Sequence, residues 1–149
     1  LQNKKENDEK LINSLLIQME KHKTDFTVTF RGLCSLVMDD NENNFQKFKN
    51  YFSNSKEIND WLYNWQSRLS CEEINKENIF SFINNTNPAY IPRNHRIEEM
   101  INRALEGDFS FFNRLNDIID APFSDQKQHE EYKKPPKENE IVAQTFCGT

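Results

Sequence analysis

ENDEKLINSLLIQMEKHKTDFTVTFRGLCSLVM, residues 6–38, reads as two amphipathic helices in succession. Leu11, Ile12, Leu15, Leu16 and Met19 recur at spacings of three and four, with Lys, Asn, Glu and Gln on the other face, which predicts a helix over residues 6–22. Thr24 and Asp25 then offer N-cap oxygens to a second helix, in which Phe26, Phe30, Leu33 and Val37 keep the same spacing as far as Met38. The chain is therefore expected to be all-α.

Outward from that stretch the helical period continues. DDNENN, residues 39–44, has side chains that compete for backbone hydrogen bonds and predicts a surface loop. Phe45, Phe48 and Phe52 share one face of a short helix, and Ser55 is placed to cap a helix striped by Ile58, Leu62, Trp65 and Leu69. The pattern runs on from Glu72 to Ile83, and NNTNPAYIPRN, residues 84–94, breaks it, because Pro88 and Pro92 disfavour helix at the residue before each. Ile97, Met100, Ile101, Ala104 and Leu105 mark the next helix, with Gly107 at its C′ position. Asp108 or Ser110 caps a further one carrying Phe111, Phe112, Leu115, Ile118 and Ile119, which Pro122 ends. After Phe123 the composition turns charged: SDQKQHEEYKKPPKENE has almost no apolar residue and predicts an extended tail touching the rest at Tyr132, Ile141 and Phe146. The expected architecture is a compact bundle of about five to six short helices over residues 1–122, with an extended tail over 123–149 that ends in Cys147.

Composition agrees. The 149 residues suit one domain, and Leu, Ile, Val and Phe together make up about a quarter of them, enough to build a core. Only 3 Gly and 3 Val argue against a sandwich or barrel. Twelve Phe are more than so small a bundle usually needs inside, so if a further domain normally covers one side, a contiguous apolar surface patch, or a dimer contact that buries it, is expected. No more than three apolar residues run together, far short of the roughly 20 that a membrane span requires. A net charge of -5 would repel phosphate backbones, so nucleic acid is not the expected partner. Three scattered cysteines point to a reducing compartment. Leu1 in place of an initiator Met, followed by a polar start with neither signal-peptide nor transit-peptide character, suggests a piece of a longer chain.

Motifs of chemistry are few. His22, His95 and His129 lie far apart and no cysteine neighbours another, so no metal site is expected; there is no Gly-rich phosphate loop and no GxSxG. The adjacent pairs Glu72–Glu73, Glu98–Glu99 and Glu130–Glu131 point in different directions on a helix and read as solvated faces. Arg93, Asn94, His95 and Arg96 open a helix, where amides and the two guanidinium groups of Arg93 and Arg96 form a weak candidate for phosphate contact. Basic residues there oppose the helix dipole, and pairing with Glu98 or Glu99 is the favoured reading. Trp61 and Trp65 read as core, and Cys34 and Cys71 as buried, inert thiols. Cys147 is the redox candidate: it sits in a polar tail before Gly148 and Thr149, and the residues leave open whether it is a reactive end or merely follows an anchoring Phe146.

Four phrases in order, DFTVTFRGL at 25–33, NPAYIPRNH at 87–95, GDFSFFNRL at 107–115 and QTFCGT at 144–149, resemble the C-terminal part of the SelO family, selenoprotein O and its bacterial relatives. The resemblance covers essentially the whole chain but only the last third of such a protein. It implies a kinase-like parent that moves AMP from ATP onto protein hydroxyl groups with a divalent metal such as Mg, acting on protein substrates. By resemblance, the ATP and metal sites lie in the upstream kinase-like region, which would be this segment's partner, and no catalytic, cofactor or metal residue falls here. Cys147 matches the family's near-terminal cysteine or selenocysteine, implicated in redox control; this chain has ordinary cysteine and ends CGT. The resemblance implies a cytoplasmic location for a bacterial source and a mitochondrial one for a eukaryotic source. The competing reading is a free-standing helical protein-interaction domain.

Overall fold

Seven α-helices and two short 3-10 helices account for the regular structure in a computed structural model that describes residues 5–38 and 42–142; among these residues there is no strand. The chain divides at the Pro-containing segment into two compact units, Leu1–Thr86 and Asn87–Thr149.

The first unit holds α1 (Asp8–His22), α2 (Phe26–Met38), α3 (Glu42–Asn50), α4 (Lys56–Leu69) and α5 (Lys76–Thr86), with α1 packed on α4 and α2 on both α3 and α5. The caps read from sequence are present: the Asp25 carboxylate accepts from the Val28 amide at 2.8 Å, and the Ser55 hydroxyl from the Ile58 amide at 3.3 Å. The expected loop at 39–44 lies partly outside the described residues. Its Glu42–Asn44 part is helical, with the Glu42 carboxylate in the favourable first turn of α3. The stripe read as continuous past Leu69 is interrupted, since Asn75 starts a fresh helix by accepting from the Asn78 amide at 2.9 Å.

Leu15, Met19, Leu33, Leu36, Val37, Phe48, Phe52, Ile58, Trp61, Leu62 and Trp65 form the core of this unit. The Trp61 and Trp65 rings stack 5.9 Å apart at 14°, and the Trp61 indole N–H donates to the Leu11 carbonyl at 2.9 Å, so the buried polar end of the ring is satisfied. Gly32 lets α2 approach α3 closely: a Cβ there would lie 3.3 Å from the Phe48 ring.

The second unit pairs α6 (Asn94–Leu105) with α7 (Ser110–Asp120) around a turn in which Gly107 takes φ 87°, the left-handed C′ geometry that its sequence position predicts. Its core is smaller: Ala89, Tyr90, Phe111, Leu115, Ile118 and Tyr132, with Met100 and Ile119 against it. The segment after Phe123 folds into 3-10 helices at Lys127–Lys133 and Glu138–Glu140. Tyr132 is 4% exposed and makes the expected contact, whereas Ile141 is exposed and Phe146 lies outside the described residues.

Candidate functional site

NPAYIPRNH is the hub of the second unit. The Pro122 carbonyl accepts from the amides of Ala89 at 2.7 Å and Tyr90 at 3.1 Å, which ties this segment to the end of α7. The Tyr90 hydroxyl donates to the Gln126 carbonyl at 2.9 Å and accepts from the Gln126 amide at 3.0 Å. The Gln126 side chain in turn donates to the Ile118 carbonyl, one of the groups a helix end leaves unpaired.

The basic residues that open α6 take up protein partners. Arg93 is buried and donates to the Lys133 carbonyl at 2.8 Å, holding the first 3-10 helix in place. Arg96 pairs with Glu99 at 2.8 Å, and its guanidinium lies 5.3 Å from the centre of the Tyr132 ring. Glu99 also pairs with Arg103 at 3.1 Å. His95 is buried beside them, and burial, with the Arg96 charge second, pushes its pKa below the ordinary histidine value. An open groove of about 820 Å³ runs along α6 here, lined among others by His95, Arg96, Arg103, Asn139 and Glu140. Its charges are mixed in sign, and Glu99 pairs with both Arg96 and Arg103 along it.

Among the described residues no group of three or more His, Cys, Asp and Glu side chains could hold a metal ion, and no helix is long and apolar enough to cross a membrane. Cys34 is buried as expected. Cys71 is exposed, against the expectation of an inert buried thiol: it lies in the turn after α4, off the stripe that ends at the packed Leu69, and its Sγ contacts the Ser67 carbonyl at 3.4 Å. Cys147, the redox candidate, lies outside the described residues.

One charged cluster escaped the sequence reading. Arg68 makes a two-pronged contact with Asp8, Nε to Oδ1 at 2.6 Å and Nη2 to Oδ2 at 3.1 Å, and an ion pair with Glu72 at 2.8 Å. The Glu72 side chain is 2% exposed, so it is no solvated face. Hydrogen bonds from Arg68 first, and from the Lys5 amide second, hold the Asp8 carboxyl below the usual range; the same contact raises Arg68. The i,i+4 spacing of Arg68 and Glu72 was a legible signal, but Asp8, sixty residues away, gave none.

Comparison with known proteins decides the family. Residues 1–120 match the family model of protein adenylyltransferase SelO. The chain belongs to the SelO family. It is 39% identical over 144 residues to the protein nucleotidyltransferase YdiU of Ruegeria pomeroyi, covering 97% of this chain and 28% of that one. The YdiU proteins of Clostridium perfringens, 41% identical over 146 residues, and Rhizobium etli, 38% over 150, are matched over 98% and 100% of this chain and over 28% and 30% of their own length. This SelO-family chain thus spans less than a third of the curated relatives it matches, and it is all-helical in its described residues.

Proposed function

We propose that this chain is the C-terminal helical segment of a SelO-type protein adenylyltransferase and serves it as a structural and regulatory part. The longer polypeptide transfers AMP from ATP to hydroxyl side chains of protein substrates, with ATP and Mg held in a kinase-like region outside these 149 residues. The observation that carries the reading is the family match over residues 1–120 together with relatives of which this chain covers only 28–30%. The commitment of Arg93 and Arg96 to Lys133, Glu99 and Tyr132 supports leaving phosphate binding to that other region.

Two measurements test it. The native polypeptide is expected to be several times larger than 17.8 kDa and to label proteins from ATP radioactive at the α-phosphate; a native mass close to that of this chain favours the free-standing interaction domain instead. The 149-residue chain is expected to bind no ATP in calorimetry with or without Mg, and magnesium-dependent binding overturns the assignment of the nucleotide site elsewhere.

Regulation is assigned to Cys147. In the longer polypeptide its thiol forms a reversible disulfide with a cysteine outside this chain: two thiols lose two protons and two electrons to an oxidant such as oxidised glutathione, which leaves as the thiol. Mass mapping with and without reductant, together with activity of Cys147→Ser, tests this. Unchanged mass maps and unchanged reductant dependence make Cys147 an ordinary tail residue.

A further inference from the structure

The α6–α7 hairpin carries four large apolar side chains at its tip. Ile101, Leu105, Phe109 and Phe112 are exposed to 49, 82, 58 and 47%. A rise of about 1.5 Å per residue puts Ile101 only one turn behind Leu105, and Phe112 lies in the first turn of α7, so all four crowd one end. The backbone that presents them is firmly built. The Gly107 amide donates to the Ala104 carbonyl at 3.0 Å, the Asp108 amide to the Arg103 carbonyl at 2.9 Å, and the Ser110 amide to the Asp108 carboxylate at 2.9 Å. Arg103, paired with Glu99 at 3.1 Å and 3.7 Å from Asp108, supplies a polar edge beside the apolar side chains, the arrangement of a small interface.

Magnitude selects the occupant. Those fractions of each residue's full area leave at most roughly 500 Å² in water, within the range for a monomer's largest patch. A stable homodimer buries about 800 Å² per partner, so a second copy is poorly served by this tip. A surface in the same polypeptide is already present at an effective concentration on the order of millimolar and needs far less area. The chain covers 28% of its Ruegeria relative, which leaves most of such a polypeptide to supply that surface.

We infer that the α6–α7 tip is an intramolecular docking knob, inserting Leu105, Phe109 and Phe112 into an apolar, polar-rimmed recess on the part of the longer polypeptide outside these 149 residues. This rests on the reading above that the chain is one segment of a longer enzyme.

The test uses the polypeptide as its source makes it. Native mass is read first; then Leu105→Cys and, separately, Phe112→Cys are treated with iodoacetamide, and the modified peptide is located by mass. Labelling at either site is expected to be at least tenfold slower than in the unfolded protein and independent of protein concentration. A mass close to 17.8 kDa removes both the docking and the longer enzyme. A long polypeptide labelled at both sites as fast as when unfolded removes the docking alone. Protection that vanishes on dilution overturns it in favour of a second copy. Should the cysteines themselves loosen the contact, hydroxyl-radical footprinting of Phe109 and Phe112 in the unsubstituted polypeptide decides: protection supports the knob, and full reactivity overturns it.

Discussion

The two units solve the same problem by different means. In Leu1–Thr86, five helices bury two tryptophans, two phenylalanines and a run of aliphatic side chains, and most of the cohesion is apolar area removed from water. In Asn87–Thr149, two helices and two 3-10 turns bury far less, and named hydrogen bonds from Tyr90, Arg93 and Gln126 hold irregular backbone against them. A unit held mostly by area tolerates the loss of a single neutral polar contact, because its packing is shared among many residues; the buried Asp8–Arg68–Glu72 cluster is the exception. A unit held by a few directional bonds does not, since each unmade bond leaves a buried donor or acceptor unsatisfied.

The largest expected effect breaks the first unit. Trp61→Ala removes a stacked ring and the donor to Leu11, and is expected to cost about 3–5 kcal/mol, read as a fall in the thermal midpoint together with loss of amide protection in α1 and α4. If protection in α1 and α4 survives, the aromatic core is not what holds them. Next is Arg93→Ala, expected to cost about 1–3 kcal/mol by leaving the Lys133 carbonyl unsatisfied, with faster hydrogen exchange confined to the second unit. Arg93→Lys is expected to rescue little, because a shorter point charge does not reproduce the guanidinium geometry. An unchanged urea midpoint for Arg93→Ala would collapse the contrast between the units.

A smaller effect sharpens the contrast through pH. The folded-state pKa of His95 is depressed, chiefly by burial, so the folded form resists protonation while the unfolded form takes a proton near pH 6.5. Its contribution is present above that pH and is lost as pH falls below it. Thermal midpoints read between pH 7.5 and 5.5 are expected to fall less steeply in His95→Leu than in the unsubstituted protein; identical slopes would remove the histidine from the account. The smallest effect lies after α3, where Ser53 and Asn54 both hold positive φ, 53° and 52°. Ser53→Gly relieves the left-handed strain at some cost in unfolded-state entropy, for a net gain of about 0.5 kcal/mol in urea titration. A loss of stability there would mean that the serine makes an interaction worth more than its strain.

The differences in legibility follow the same division. The helices of the first unit were readable because a 3.6-residue period and local caps such as Asp25 and Ser55 are encoded within a few residues of each other. The break between α4 and α5 was missed because apolar spacing continued across it and only the Asn75 cap marked it. In the second unit, the charged stretch after Phe123 read as an extended tail, since one tyrosine in a polar run is weak evidence of a core. Nothing near Tyr132 in sequence announces Tyr90, Phe111 or Arg96, which surround it in space. Cys71 differs for a related reason: a place beside an apolar stripe does not fix the direction of a side chain in the turn that follows the helix.

The sequence by itself determined the helical class, most helix limits, the Asp25 and Ser55 caps, the glycine turn at residue 107 and, through four short phrases, the family. All but the family are local properties, fixed by side-chain spacing and backbone preference over a few residues; the family rests on resemblance. Tertiary structure alone decided that Asp8, Arg68 and Glu72 meet in one buried cluster, that Arg93 serves a carbonyl forty residues away, and that Leu105, Phe109 and Phe112 point outward from a rigid tip. Each of these depends on which distant surfaces come together, and burial and charge pairing are set by that approach.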